Sequence, residues 1–400
     1  MTATNESSTP LETGAIDPAS VRVAWLLTSA FFYWQPAMKC LTDLFPNTTV
    51  YTSRWHGFAP GLEDSFRVDI VGERKLVALK KADKGYGSTF TYLPLQIVGR
   101  LSKFKPDVVF SNAFGVWTLL ALLSKFVSEL RVVIAYEGSS PSVDYRNSPL
   151  RLALRRWMVQ TADACISNSH AGRDYLINVL NSDPKRTFVQ PYEVPEKESL
   201  KVDDSDVENE LSDLPNPRFL YVGSLIPRKG LKPWLNACAE LERRGIGDYS
   251  IIIVGDGERR EELEAFCRDN GIEHRVRWVG RVPYHQLGAY FQQSDIFVLP
   301  TFEDTWGMVV LEAMVLGKPV LCSEYAGAVE LIRDGENGYR CNPNQLEMFA
   351  DLMAKFVENP ELASQLGENA RQTMAQYTPE AAADFMKQVI ERVLGGESHD

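Results

Sequence analysis

Apolar and polar positions follow a repeating order along this chain: a short apolar run, a polar turn, then a longer stretch with apolar residues three or four apart. The short runs are typical of buried parallel strands, and the longer stretches of helices that cover them. In the first half the pattern predicts strands at 21–27, 49–52, 67–71, 107–110, 131–135 and 164–167. It predicts helices from about Pro36 and over 92–104, 115–127, 149–161 and 171–180. Strands that alternate with helices indicate a parallel, doubly wound α/β sheet.

The same order begins again after an acidic segment, 196–215, which is bounded by prolines and low in aromatic residues. We interpret this segment as an interdomain linker. The first twenty residues are polar and lack the apolar core of a signal peptide, so they predict a disordered leader. The predicted division of the chain is a leader 1–20, a first domain 21–195, a linker 196–215, a second domain 216–377 and a terminal helix 378–396.

The most informative stretch is 295–321, in which an apolar strand, a short polar loop, a buried helix and a second strand follow one another. Glu312 is the only charged residue of this helix, and Asp304 lies in the loop before it. A buried carboxylate is costly unless a partner satisfies it. Because strand ends and helix N-termini at such a sheet edge bind anions, we expect a phosphate-bearing ligand whose hydroxyls donate to Glu312. The alternative is that Asp304 or Thr305 caps the helix, and that Glu312 pairs with a structural cation.

Composition narrows the class of protein. The 400 residues carry 42 basic and 53 acidic side chains, a net charge of −11, which argues against bulk nucleic-acid binding. No apolar run approaches the ~20 residues of a membrane span. The six cysteines have no metal-ligand spacing, so a reducing, cytoplasmic setting is the simplest expectation.

The residues 304–314, DTWGMVVLEAM, resemble the E-x7-E signature of the retaining GT-B glycosyltransferases of family 4, which commonly continues as E-A-M. Asp304 stands where the family has its first glutamate, and Glu303 lies one position too early. The resemblance implies the GT-B fold, two Rossmann-like doubly wound parallel-sheet domains facing a cleft, with a terminal helix that returns to the first domain. It also implies that Asp304, with Glu303 beside it, contacts the donor sugar and that Glu312 binds the ribose hydroxyls.

Two further segments carry the resemblance. Residues 223–230, GSLIPRKG, are similar to the family's phosphate-binding G-R-L-x-x-x-K-G, with Lys229 at the lysine position and Ser224 in place of the arginine. We expect Arg228 to supply the second positive charge, and the amides at Gly307 and Met308 to face the diphosphate. Residues 277–282 are similar to the F-x-G-x-V segment, which places Arg281 beside the nucleotide base.

Two features of the first domain are candidates for acceptor contacts. Glu137 follows a predicted strand where many family members have a histidine, so it could orient or deprotonate an acceptor hydroxyl; the alternative is an acid in a solvated loop. Residues 150–158 mix arginines with leucine, tryptophan and methionine. They fit an interfacial helix on an anionic bilayer, or an outer helix with arginines in water and leucines on the sheet.

The sequence therefore predicts a retaining, metal-independent glycosyltransferase that moves a sugar from a nucleotide-diphosphate sugar, with UDP or GDP, to a glycan or lipid-linked acceptor in polysaccharide or glycoconjugate synthesis. Its catalytic residues would be Glu137, Asp304 and Lys229, with no cofactor. The one D-x-D match, 204–206, lies in the linker and fits a solvated acidic run. We expect a cytoplasmic protein, with or without peripheral contact at the inner membrane face. Two alternatives remain: a non-catalytic nucleotide-sugar-binding subunit, suggested by Ser224, Asp304 and a first loop without glycine, and a GT-B phosphorylase or epimerase.

Overall fold

The structure is a computed structural model that describes residues 16–28, 32–80, 85–86, 88–200 and 205–395. Most of the predicted leader, positions 1–15, lies outside these ranges. So do residues 201–204 of the predicted linker, which include the first aspartate of the D-x-D match.

The first half forms a seven-stranded parallel sheet with helices on its faces. Its elements, in chain order, are β1 (Arg22–Leu27), α1 (Gln35–Leu44), β2 (Asn47–Thr52), β3 (Arg67–Ile70), β4 (Lys75–Lys80), β5 (Ser88–Tyr92), α2 (Ile97–Phe104), β6 (Val108–Asn112), α3 (Val116–Ser124), β7 (Arg131–Tyr136), α4 (Pro141–Asp144), α5 (Pro149–Thr161), β8 (Ala164–Ser167), α6 (His170–Asp174) and β9 (Thr187–Val189). The strand order is β3-β2-β1-β6-β7-β8-β9, and β4 and β5 form a separate antiparallel hairpin.

The second half repeats this architecture after a helix within the predicted linker. Its elements are α7 (Ser205–Leu211), β10 (Arg218–Val222), α8 (Leu231–Arg243), β11 (Ser250–Val254), α9 (Arg260–Asp269), β12 (Val276–Gly280), α10 (Leu287–Gln292), β13 (Ile296–Leu299), α11 (Met308–Val315), β14 (Val320–Ser323), β15 (Gly338–Cys341), α12 (Leu346–Glu358), α13 (Glu361–Met374) and α14 (Pro379–Gly395). The order of its parallel strands is β12-β11-β10-β13-β14-β15. The predicted fold class, two doubly wound parallel sheets, is therefore confirmed.

Some local predictions are wrong. The predicted helix 92–104 begins only at Ile97, because Tyr92 ends strand β5 and Pro94 favours extended backbone at the residue before it. The hairpin β4–β5 and the three-residue strand β9 had no clear signal in the sequence pattern. Helix α11 begins at Met308 after Gly307, whose φ of 98° is left-handed, and no side chain caps it. The alternative in which Asp304 or Thr305 caps this helix is thus incorrect.

Each sheet is buried between helical layers, and one apolar cluster joins the two halves. Helix α14 packs against α1, with Met386 and Ile390 in the same buried cluster as Met38 and Leu41. Thr378 caps its first turn, since the Thr378 hydroxyl accepts from the Ala381 amide at 3.2 Å. Strand order reverses beside β1 and β6 in the first sheet, and beside β10 and β13 in the second. The carboxyl ends of strands at such a switch point form the crevice in which open α/β sheets bind ligands.

Candidate functional site

The candidate site begins where two neighbouring strands of the second sheet end. Because β10 and β13 are parallel and adjacent, the turn after β10 and the loop after β13 meet at one edge. The Arg228 carbonyl accepts from the Phe302 amide at 2.8 Å and from the Thr301 hydroxyl at 3.0 Å. Gly230 has a φ of 67°, and a Cβ there would collide with the Pro300 carbonyl, so this approach requires glycine.

This junction brings together two cations and one buried acid. The Lys229 Nζ lies 2.5 Å from the Asp304 Oδ2, and the Arg228 Nη1 lies 3.7 Å from the same oxygen. Burial opposes ionisation of Asp304, but Lys229 and Arg228 outweigh it and lower its pKa. Asp304 is therefore charged at neutral pH, and the cluster retains one excess positive charge that suits a diphosphate.

Glu312 lies in α11 and is buried, with 4 % of its surface exposed. Its Oε1 accepts from the Tyr284 hydroxyl at 3.0 Å. Burial raises the pKa of Glu312 to about 7, although the Tyr284 hydrogen bond opposes that rise. Within the described residues its partner is a tyrosine hydroxyl and not a cation, which argues against the structural-cation alternative. Sequence reasoning missed Tyr284, which follows the segment similar to F-x-G-x-V by two residues.

Glu303 makes its contacts across the cleft, with the first half of the chain. Its carboxylate accepts from the Ser142 amide at 2.7 Å, the Ser142 hydroxyl at 2.6 Å and the Tyr86 amide at 3.1 Å. Three donors thus meet its two oxygens, and Glu303 is buried. In this conformation Glu303 connects the two halves of the chain, and its contact with the donor stays a prediction.

Tyr86 is a second residue that the sequence reasoning missed. Its ring lies under the Arg228 guanidinium, 3.9 Å from the Cζ atom, and its hydroxyl is 3.5 Å from the Asp304 Oδ1 and 3.4 Å from the Thr305 amide. A Cβ at Gly85 would collide with the Ser142 hydroxyl, so glycine permits this close approach. An aromatic residue between two glycines, Gly85-Tyr86-Gly87, is the one sequence signal that could have pointed to it.

Glu137 lies directly after β7 and beside the loop that carries Asp304. Its Oε1 accepts from the Asn112 side-chain amide at 3.0 Å. The next residue, Gly138, touches that loop so closely that a Cβ would collide with the Thr305 carbonyl. Burial raises the pKa of Glu137, the Asn112 hydrogen bond opposes this, and the charge of Asp304 adds to it. Glu137 is thus a half-buried acid facing the second half, unlike an acid in a solvated loop.

Glu193 is a third residue that the sequence reasoning missed. It is a buried acid that lies close to Glu137. It is 2 % exposed, and its Oε2 accepts from the Asn168 side-chain amide at 3.0 Å. The Trp306 indole donates to the Glu193 carbonyl at 3.3 Å, which connects this acid to the second half. Burial, with the charge of Glu137, raises its pKa well above the usual range. The sequence signal that could have pointed to Glu193 is its position between Pro191 and Pro195, just before the predicted linker.

Other predicted residues lie apart from the Lys229–Asp304 cluster or contribute backbone only. Ser224 is exposed, and its carbonyl accepts from the Tyr221 hydroxyl at 3.0 Å. The Arg281 side chain is 81 % exposed, with its Nε 3.9 Å from the Asp256 Oδ2. Gly307 precedes α11 and Met308 is its first residue, so their amides lie at the helix N-terminus. The resemblance places the diphosphate there, and this contact stays a prediction. Within the described ranges no group of three or more His, Cys, Asp or Glu side chains is placed to hold a metal ion.

Two protein-family models and a solved structure are similar to this chain. The family model of the glycosyl transferases group 1 matches residues 203–373, and that of glycosyltransferase family 4 matches residues 47–192. The structure of Anabaena HepE in complex with UDP-glucose superposes with a TM-score of 0.70 at 18% identity, covering 92% of this chain and 99% of that one. The chain therefore belongs to the GT-B glycosyltransferases.

Curated relatives match over a shorter part of the chain. The alpha-D-kanosaminyltransferase of Streptomyces kanamyceticus is 31% identical over 178 residues, which are 44% of this chain and 46% of that protein. The lipopolysaccharide core biosynthesis glycosyltransferase LpsE of Rhizobium meliloti is 30% identical over 175 residues, 44% of this chain and 49% of LpsE. The matches span about half the length of these relatives.

Proposed function

We propose that this protein is a retaining glycosyltransferase that moves a sugar from a nucleotide-diphosphate sugar to a hydroxyl of a glycan or a lipid-linked acceptor. The observation that carries the proposal is the cluster of Lys229, Arg228 and Asp304 at the switch point of the second sheet, followed by the buried Glu312. Two cations beside a helix N-terminus suit a diphosphate, and a buried carboxylate suits ribose hydroxyls.

The donor would lie against the second half of the chain. Lys229, Arg228 and the amides at Gly307 and Met308 would stabilise the diphosphate as negative charge develops on it during bond cleavage. Glu312 would accept hydrogen bonds from the ribose. Since Asp304 already holds Lys229 at 2.5 Å, the diphosphate would share that lysine, and Asp304 would turn its other oxygen to the donor sugar.

The acceptor would approach from the first half, beside Glu137. Its hydroxyl oxygen would bond to the anomeric carbon as the bond from that carbon to the diphosphate breaks. Glu137, which faces the Asp304 loop, would orient the hydroxyl or take its proton. The contacts of Glu303 with Ser142 and Tyr86 would keep the cleft closed and exclude water, which otherwise competes as an acceptor.

UDP is the first nucleotide to test, with GDP next, because the similar HepE structures contain UDP and UDP-glucose. LpsE, by its name a lipopolysaccharide core enzyme, supports polysaccharide or glycoconjugate synthesis as the setting. The proposal includes independence of metal and of any resident cofactor. A phosphorylase of this fold would instead carry pyridoxal phosphate, and a visible absorption band of the purified protein would reveal it.

We also propose a cytoplasmic location. Among the described helices none combines the length and the apolar character that a bilayer-spanning segment needs. A lipid-linked acceptor resides in a membrane, so this form of the proposal requires that the protein reach a bilayer surface.

Thermal melting against UDP, GDP, ADP and their sugars, with EDTA present, tests the proposal. A ligand at ~100 times its dissociation constant raises the free energy of unfolding by ~2.7 kcal/mol. We expect a shift for one nucleotide that is smaller in Glu312→Ala and Lys229→Ala. Lys232→Ala is the matched control, because Lys232 lies three residues further on and pairs with Glu262. Absence of a shift with every nucleotide at millimolar concentration would contradict the proposal.

A further inference from the structure

The outer surface of the first half carries a concentration of exposed apolar side chains. Helices α2, α3 and α5 lie side by side over one buried cluster of the first sheet. The described chain has eleven large apolar side chains that are exposed, and eight of them fall on or beside these helices. They are Tyr92, Leu95, Val98, Leu123, Phe126, Val127, Leu150 and Leu154. We name this surface the helical face; a concentration of exposed apolar side chains suits an interaction site.

Helix α5 shows that the exposure is not a by-product of ordinary sheet packing. In the conventional arrangement, leucines of an outer helix lie on the sheet and arginines lie in water. Here Leu150 is 83 % exposed and Leu154 is 45 % exposed, while Met158 and Val159 are buried. The expectation that the leucines cover the sheet is therefore wrong for these two. Spaced four apart, they lie on one outward side of the helix.

Charge distinguishes the helical face from the rest of the molecule. The segment 92–161 contains nine Lys or Arg and four Asp or Glu residues, in a chain whose net charge is −11. Of the four acids, Asp107 pairs with Arg22, Asp144 is buried and Glu137 faces the cleft. Only Glu129 is an exposed acid of this segment without one of these roles. Four of the nine cations pair with acids: Arg100 with Asp69, Lys125 and Arg131 with Asp163, and Arg146 with Asp144. Lys103, Lys105, Arg151 and Arg156 are exposed, so the helical face is apolar with an excess of basic side chains.

We propose that the helical face docks on an anionic bilayer. Phe126 and Val127, 71 % and 88 % exposed just beyond α3, would enter the boundary between headgroups and acyl chains. The exposed Lys103, Arg151 and Arg156 would meet lipid phosphates. A second copy of the chain is the less suitable occupant, because it would bring two basic faces together.

Docking there would leave the cleft accessible, since Glu137 lies at the carboxyl edge of the sheet and the helical face lies on its side. In combination with the proposed function, the surface would bring the acceptor side of the enzyme to lipid-linked acceptors. The docking itself rests only on the exposed side chains and charges.

Co-sedimentation with vesicles tests the proposal. We expect the protein to bind phosphatidylcholine vesicles with about 30 mol% phosphatidylglycerol at low salt, and about tenfold more weakly when the anionic lipid is absent or salt is high. The double variant Phe126→Glu/Val127→Glu and the double variant Arg151→Glu/Arg156→Glu should each weaken binding about tenfold. Met348→Glu is the control, since Met348 is an exposed apolar residue of α12, outside the helical face.

The nucleotide-dependent melting shift, measured on the same variants, separates this proposal from the proposed function. An unchanged shift shows that a loss of vesicle binding is not a loss of fold or of the donor site. If none of the nucleotides binds, the proposed function is overturned and the docking result still stands. The docking proposal is overturned if the wild type does not co-sediment with anionic vesicles, or if both double variants bind them as strongly as the wild type does. A dimer in sedimentation that Phe126→Glu/Val127→Glu dissociates, without vesicle binding, would assign the face to a second copy.

Discussion

Replacing Glu312 by glutamine should change how the stability of the fold depends on pH. Glu312 is buried in α11, and among the described residues its side chain is hydrogen-bonded to the Tyr284 hydroxyl, which donates to it. Glutamine has nearly the same shape and can accept the same bond through its carbonyl oxygen, but it does not ionise. The substitution therefore removes a titration with little change in packing.

The magnitude follows from the raised pKa of the carboxyl. Burial raises the pKa of Glu312 from 4.5 to about 7. A group with a higher pKa in the folded chain contributes stability that is complete below its unfolded pKa and is lost as pH rises to its folded pKa. The difference between the two values corresponds to about 3 kcal/mol, lost between roughly pH 4.5 and pH 7.

Urea denaturation of both proteins from pH 4.5 to pH 8 is the appropriate assay. The free energy of unfolding of the wild type should fall relative to Glu312→Gln by about 3 kcal/mol over this range, and the difference should level off above about pH 7. Titrations of other groups cancel in the difference. Parallel pH profiles would refute the reasoning, because they would mean that the carboxyl ionises in the fold without cost.

Three further predictions concern the residues around this site. Lys229→Met and Asp304→Asn should each destabilise the fold, but their combination should cost roughly 1–3 kcal/mol less than the sum, since the two side chains form a buried pair; additive effects in urea denaturation would contradict this. Ser142→Ala removes one of three hydrogen bonds to Glu303 and should lower kcat/KM for the donor about tenfold with nearly unchanged melting temperature; unchanged kinetics would show that closure does not depend on this contact. Tyr86→Phe keeps its ring on the neighbouring guanidinium and should change donor affinity less than about threefold, whereas Tyr86→Ala should lower it about tenfold; calorimetry showing equal affinities for the two variants would exclude the stacking role.

The sequence predicts best what depends on local periodicity. The six strands predicted in the first half are present, and 149–161 is helical as predicted. The motif positions Lys229 and Asp304 meet because β10 and β13 are adjacent, and a doubly wound sheet already implies that neighbouring strand ends share an edge. Gly338 shows the limit of local patterns, because it begins β15 at a point where a Cβ would collide with the Val320 carbonyl. The close approach of β14 requires glycine at this position, and the local sequence pattern does not reveal that contact.

The contacts between the two halves could not be predicted from the sequence. Tyr86 and Glu303 are 217 positions apart, and no periodic pattern connects them. The raised pKa of Glu193 likewise arises from burial and from the charge of Glu137, which belongs to another strand end. Local patterns define each half of the site, but the closed arrangement depends on non-local packing.

The most direct test of the account is the slow hydrolysis of the preferred nucleotide sugar, followed by proton NMR with EDTA present. The account predicts release of the nucleoside diphosphate and of a sugar that first appears with the anomeric configuration of the donor. The rate should fall in Lys229→Ala and remain unchanged in Lys232→Ala. Release of the opposite anomer would contradict the retaining mechanism, and a rate in Lys229→Ala equal to that of the wild type would contradict the role of Lys229 in donor cleavage.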